Sequence, residues 1–278
     1  MDKPVALITG TSSGFGLLAS IALAKKGYYV VATMRNTEKS QTLKDLMQHE
    51  EIREIEIIPL DVTKHDEVKE TIDQIVTRLG KIDVLVNNAG YAEAGFVEDL
   101  TIEDYRRQFE TNFFGLIAVT KAILPYMREQ RSGKIINISS ISGRFGFPAL
   151  SPYVASKHAV EGFSESLRLE MLPYGVYVSL IEPGSYKTEI WSKGLEKERE
   201  LTKSAYQKEM KSIMSEVGQI VETAGNPQEV VDLIVQVANA KRPKLRYPIG
   251  KGVKSGLWLK NWLPWEWLEK RIVKRQAP

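Results

Sequence analysis

Tyr153 and Lys157 stand four residues apart, and Ser140 precedes the tyrosine by thirteen. Ser151 as N-cap and Pro152 at the first helical position predict a helix over 152–172. Four residues are about one helical turn, so phenol and ammonium share a face. A phenol titrates near ~10 in water. At neutral pH it is a weak base unless a nearby positive charge favours the phenolate, and the lysine offers that charge. Such a pair can pass a proton to or from an oxygen. A serine hydroxyl beside it can hold that oxygen as charge develops. The pattern alone is cheap, since 11 tyrosines give about one Tyr-x-x-x-Lys by chance. Tyr247 and Lys251 form a second copy, but Pro248 and Gly250 break any helix there, so that pair is the decoy.

A second constellation lies near the start. Thr9-Gly10-Thr11-Ser12-Ser13-Gly14-Phe15-Gly16 joins an apolar run to a helical pattern. Gly10 permits a tight turn, Gly14 lets backbone approach a pyrophosphate, and Gly16 lets the helix pack close on a sheet. The helix N-terminus then offers free N–H groups and a partial positive charge to phosphates.

These residues need a frame, and the chain alternates strand and helix patterns. Val5–Thr9, Tyr28–Thr33, Ile55–Leu60, Ile82–Val86, Lys134–Ser139 and Val176–Glu182 read as strands, with Lys244–Pro248 as a last one. Between them, Phe15–Lys26, Thr37–His49, the stripe Val68, Ile72, Ile75, Val76 and Leu79, Ile102–Glu129 and Pro152–Leu172 read as helices. Pro125 predicts a kink in the long one. Pro227–Ala240 is a further helix. The pattern predicts an α/β fold with a doubly wound parallel sheet of Rossmann type, helices on both faces, in one domain over 1–278. Residues 185–222 read as a helical insertion after the sixth strand, at the edge where such sheets bind ligands.

With its Thr-Gly-x-x-x-Gly-x-Gly spacing, the chain resembles the short-chain dehydrogenase/reductase family, single-domain branch. The likeness extends to Asp61-Val62, to Asn87-Asn88-Ala89-Gly90, to Asn112, to Ser140 with Tyr153 and Lys157, and to Pro183-Gly184 with Thr188, in the family's order. It implies a nicotinamide dinucleotide cofactor held by Gly10, Ser12, Ser13, Gly14, Phe15 and Gly16, by Asp61 and Val62 at the adenine, and by Asn88, Ala89 and Gly90. Pro183, Gly184 and Thr188 would contact the nicotinamide. Tyr153 would be the acid/base and Ser140 its support. Lys157 would also bond the ribose, and Asn112 would hold a linking water. Homodimers or homotetramers through the long helices 102–129 and 152–172 are implied as well. The stretch Tyr28–Asn36 and the phosphate loop look like those of 17β-hydroxysteroid and retinol dehydrogenases, which makes a steroid- or retinoid-like substrate a candidate.

The second strand ends Thr33-Met34-Arg35-Asn36. Enzymes using NAD place a carboxylate there for the ribose hydroxyls. Here Met34 holds that place and Arg35 follows, a residue suited to a 2′-phosphate. The expected cofactor is NADP(H). Phe145, Phe147 and Leu150, with Tyr91 and Phe96, and with Tyr186, Ile190 and Trp191 from the insertion, predict an apolar mouth for a hydrophobic carbonyl or alcohol.

Composition narrows the field. A net charge of +3 does not suggest nucleic acid as a partner. The absence of cysteine excludes disulfides and thiol catalysis and fits a reducing cytosol, so a cytoplasmic location is expected. His49, His65 and His158 share no ligand spacing, so no metal site is expected. Met1–Pro4 leads straight into an apolar strand, which does not read as a signal peptide. The tail 253–278 sets Trp258, Trp262, Trp265 and Trp267 among Lys260, Lys270, Arg271, Lys274 and Arg275. That pattern fits a helix lying on a membrane surface or packing within the protein or its oligomer; the second is preferred. Two rival functions share the motifs: a non-catalytic NADP(H) sensor, which would not need the four polar residues, and a sugar-nucleotide epimerase, which needs a larger C-terminal domain.

Overall fold

Runs of β-branched and aliphatic residues form seven strands: β1 (Val5–Thr9), β2 (Tyr29–Met34), β3 (Ile55–Pro59), β4 (Val84–Asn87), β5 (Gly133–Ile138), β6 (Val176–Pro183) and β7 (Arg246–Ile249). The computed structural model describes residues 2–188, 190 and 204–273. All strands pair in parallel, in the order β3-β2-β1-β4-β5-β6-β7. The order reverses between β1 and β4, which opens a crevice at the C-terminal strand ends. Side chains alternate along each strand. Ala6 and Ile8 of β1 therefore face one buried cluster, while Val5 and Leu7 face another. This is the Rossmann-type doubly wound sheet that the alternating pattern predicted.

The helices that cover the first face are α1 (Gly14–Lys25), α2 (Gln41–His49) and the helix Pro227–Asn239, through Leu17, Leu23, Leu43, Val230 and Ile234. The second face is covered by α3 (His65–Leu79), α5 (Gly115–Gln130) and α6 (Ser151–Met171), through Ile72, Ile75, Val119, Ile123 and Leu167. Gly80 ends α3 in the left-handed conformation, a stop that glycine takes without steric cost. Between β6 and β7 lie α7 (Gln207–Glu222) and α8 (Pro227–Asn239), so helix occupies 207–222 of the expected insertion, while its described residues 185–188 and 204–206 lie outside any helix. After β7 come α9 (Val253–Trp262) and α10 (Trp265–Val273). Trp191, Lys274 and Arg275 lie outside the described residues.

Two expectations need correction. The stretch read as one helix with a kink at Pro125 is α4 (Ile102–Phe109), a wide π turn (Glu110–Phe114) and α5, which runs on through Pro125. The winding departs from the α-helix around Asn112. Its side-chain amide grips both backbone groups of Tyr91, accepting from Tyr91 N at 3.1 Å and donating to Tyr91 O at 2.9 Å. A tether to a neighbouring loop competes with regular winding in a way that helical periodicity does not reveal. Ser151 is not the cap of α6. Leu150 occupies that position, and the Ser151 hydroxyl instead meets Tyr105 Oη at 2.6 Å.

Candidate active site

The phosphate loop is built by contacts that leave no space for side chains. Gly10 sits at φ +71°, and a Cβ there would lie 2.7 Å from Ala89 Cα. At Gly16 a Cβ would lie 2.4 Å from Asn88 Nδ2 and 2.5 Å from Gly10 O. The β4 end is stapled to this loop. Asn88 Nδ2 donates to Thr9 O and Gly10 O, both at 2.9 Å, and Thr9 Oγ1 accepts from Asn88 N and Ala89 N. Thr11 binds Thr33 O through its N–H and its hydroxyl, tying the loop to the end of β2. Ser13 enters α1 with no side-chain cap bond, so its hydroxyl and that of the half-buried Ser12 can turn to a ligand. Phe15 packs its ring edge-on against Tyr186.

The cradle fits a dinucleotide phosphate: glycines, two of them with no room for a Cβ, a helix N-terminus and, just past the end of β2 to which the loop is tied, an arginine. Met34 is buried at the strand end, while Arg35 is exposed. Arg35 makes no hydrogen bond or ion pair with any described residue. Farther along the crevice, Asp61 Oδ1 accepts from Thr63 N and Thr63 Oγ1, closing the turn before α3. Val62 packs on Gly115, where a Cβ would clash at 2.7 Å. Thr188 lies over Gly14, 3.8 Å from the place a Cβ would take. Gly90 faces the Asn112 side chain. Gly184, following Pro183 of β6, donates its N–H to Ile249 O at 2.8 Å.

Ser140, Tyr153 and Lys157 come together at the C-terminal edge, all buried. Burial pushes the Tyr153 phenol up to about 12, against the lowering effect of its hydrogen bond with Ser140. Ser140 Oγ also accepts from Ser142 N at 3.1 Å, which holds its orientation. Lys157 Nζ lies 5.7 Å from the Tyr153 ring centre and donates to Ile138 O at 2.7 Å. Burial draws this ammonium down to about 8, and the Glu161 carboxylate opposes the fall. The Lys157 charge, expected to lower the phenol, is outweighed: loss of water dominates both groups in the protein alone. The Asn112 side chain, besides binding Tyr91, donates to Ser156 Oγ at 3.3 Å. It tethers α6 and the 91 loop to the π turn. The decoy stays apart: Tyr247 Oη accepts from Lys244 N on the edge strand.

Of the expected mouth residues, Phe145 and Phe147 lie near each other, with ring centres 6.4 Å apart, and Phe147 is exposed. Ile190 O accepts from Ala92 N at 3.4 Å, which joins the insertion to the 91 loop. Phe96 stacks on Tyr206 at 4.4 Å, fastening the insertion rather than facing open space. Tyr186 is a correction. It is buried against Phe15 and Gly225 and donates to Glu229 at 3.1 Å, so it belongs to the core.

Sequence reasoning missed a buried charged cluster behind the lysine. Glu161 accepts from Ser139 Oγ at 2.5 Å and from Arg246 Nε at 3.0 Å. Arg246 also pairs with Glu165 at 2.7 Å and with Glu182 at 3.1 Å. Arg144 reaches Glu182 at 3.3 Å. Glu182 is fully buried. Burial and the Glu161 charge push its carboxyl up to about 7, against the pull of Arg144 and Arg246. The available signal was spacing, because Glu161 follows Lys157 by one turn and Glu182 immediately precedes Pro183.

The short chain dehydrogenase profile matches residues 4–199. The chain belongs to the short-chain dehydrogenase family. It is 50% identical to an uncharacterized oxidoreductase of Bacillus subtilis, covering 99% of each chain. It is 36% identical to 3-ketodihydrosphingosine reductase of Bacteroides thetaiotaomicron, covering 95% of this chain and 94% of that one. The solved structure of ElxO with NADP bound superposes with a TM-score of 0.75 at 30% identity, covering 91% of this chain and 99% of that one. The protein is thus an oxidoreductase of this family.

Proposed function

We propose that this short-chain dehydrogenase interconverts a carbonyl and an alcohol on a hydrophobic small molecule, with NADP(H) as cofactor. The observation that carries the reading is the buried Ser140–Tyr153–Lys157 group, together with a glycine cradle and an exposed Arg35 that has no partner among the described residues. Gly10, Ser12, Ser13, Gly14, Phe15 and Gly16 hold the pyrophosphate, and Asn88, Ala89 and Gly90 support that wall. Asp61 and Val62 border the adenine. Arg35 pairs with the 2′-phosphate. Pro183, Gly184 and Thr188 border the nicotinamide. The relative named for a 3-keto lipid and the NADP-bound neighbour support the substrate class and the cofactor.

A nicotinamide held beside Pro183, Gly184 and Thr188 would supply the hydride that a carbonyl carbon takes up. Ser140 Oγ donates to the carbonyl oxygen and steadies its developing charge. Tyr153 gives its proton to that oxygen, and the alcohol results. A phenol raised to about 12 stays protonated at neutral pH, which is the form reduction consumes. Lys157 adds positive charge beside the phenolate left behind, and Asn112 keeps the 91 loop and α6 in register. The absence of cysteine supports a reducing, cytoplasmic setting. Exposed Ile102, Phe114 and Leu169 on the long helices support a homodimer or homotetramer.

The test is NADPH oxidation against ketosteroid, retinaldehyde, quinone, 3-ketoacyl thioester and keto-sugar substrates, with wild type and Tyr153→Phe side by side. Turnover of at least one carbonyl is expected, with a loss of about 10²–10⁴-fold in the variant and normal NADPH binding. A variant turning over at the wild-type rate would remove Tyr153 from the mechanism.

A further inference from the structure

The mechanism leaves the tail unused. Residues 253–278 hold four of the chain's five tryptophans and six basic residues against two acidic ones. That surplus of four exceeds the net charge of the whole chain, +3. Helix α9 is seated on the loop that follows Ser140. Val253 is buried, and Lys260 Nζ donates to Arg144 O and lies 5.1 Å from the Phe145 ring centre. The indoles are not seated. Trp258 is 62% exposed, Trp262 74%, Trp265 52% and Trp267 69%. Trp258 and Trp262, one turn apart, place their ring centres 6.3 Å from each other.

Four large aromatic side chains left in water over two consecutive helices are costly unless something covers them. Indole suits the boundary between water and hydrocarbon, because its ring is apolar while its N–H can hydrogen-bond. The interleaved Lys and Arg select the sign of the cover. A two-fold contact between copies would set this patch against itself and bring two positive tails together. An anionic surface complements it instead. No helix among the described residues is long and apolar enough to cross a bilayer, so the contact is one of lying on a surface.

We propose that the tryptophan-rich basic tail docks the protein on an anionic lipid surface. Because α9 rests on Arg144 and Phe145, docking sets the proposed substrate mouth close to the lipid, where a hydrophobic substrate concentrates. Only this last consequence rests on the catalytic reading; the docking itself does not.

The test is co-sedimentation of the full chain with phosphatidylcholine vesicles containing phosphatidylglycerol, against phosphatidylcholine alone, with tryptophan emission recorded in parallel. Pelleting with the anionic vesicles, a blue shift on binding and weakening by salt are expected. The pair Trp262→Ser and Trp267→Ser should weaken binding by about tenfold or more. Lys254→Glu with Lys270→Glu should do the same. Both variants should keep NADPH affinity and native mass. Absence of pelleting, equal pelleting of wild type and the tryptophan variant, or a fall in native mass in that variant would overturn the proposal. The last would assign the surface to a second copy. Binding is read without turnover, so its failure leaves the catalytic reading untouched.

Discussion

Glu161 lies one helical turn beyond Lys157 on α6, and its carboxylate is the charge that opposes proton loss from the buried ammonium. The same carboxylate receives Ser139, the neighbour of Ser140, so one side chain touches the surroundings of two site residues. Glu161→Gln removes the charge but keeps much of the shape. Lys157, already drawn down to about 8, should then lose its proton at lower pH. If turnover needs the ammonium, the alkaline limb of kcat moves down the pH scale, and Glu161→Asp partly restores it. An alkaline limb identical to that of wild type would show that Glu161 acts by packing alone.

Arg35 is exposed and free of described partners, so its removal disturbs little but the ligand. Arg35→Ala should cost about 1.5–3 kcal/mol of NADPH binding, as expected for a hydrogen bond to a charged group. NADH affinity should barely change. Titration calorimetry with both nucleotides checks this, and equal losses would refute the 2′-phosphate role.

Gly16 has no room to grow. A Cβ 2.4 Å from Asn88 Nδ2 and 2.5 Å from Gly10 O must push the loop away from β4. Gly16→Ala should destabilise the fold by about 1–3 kcal/mol and weaken NADPH binding, because the displaced groups form the cradle. Gly218→Ala, where nothing lies within 4 Å, is the control and should leave binding as it was. Chemical denaturation and nucleotide titration measure the two effects.

Glu182 carries a carboxyl raised to about 7. A carboxyl raised on folding holds its proton longer in the native state than in the unfolded one. Its contribution is therefore full in acid and is lost as pH rises through the folded value. Glu182→Gln imitates the protonated form. The variant should gain melting temperature relative to wild type near about pH 8, and the gain should shrink near about pH 5. A gain that does not depend on pH would show that the ionised form carries no penalty.

Much of this protein could be read along the chain. The strands β1, β2 and β6 and the helix stop at Gly80 follow from local pattern, because apolar periodicity and turn chemistry act within about one or two dozen residues. The spacings that set Lys157 one turn from Tyr153 and gathered Gly10, Gly14 and Gly16 are local in the same sense. Other features were invisible for a physical reason. The π turn at Asn112 depends on a grip across 21 residues to Tyr91, and the stapling of Asn88 to Thr9 crosses 79. Glu161 meets Arg246 across 85. Tyr186, read as part of the mouth, is carried into the core by Phe15 and Glu229.

Residue types and local spacing thus determined the family this chain belongs to and most of the elements of its fold. Only the tertiary structure decided which polar groups lose their water and which charges face each other afterwards. Burial raises Tyr153, draws down Lys157 and forces Glu182 beside Glu161. Those shifts are set by the low dielectric surroundings of the packed chain and by distances through space, and separation along the sequence does not report either.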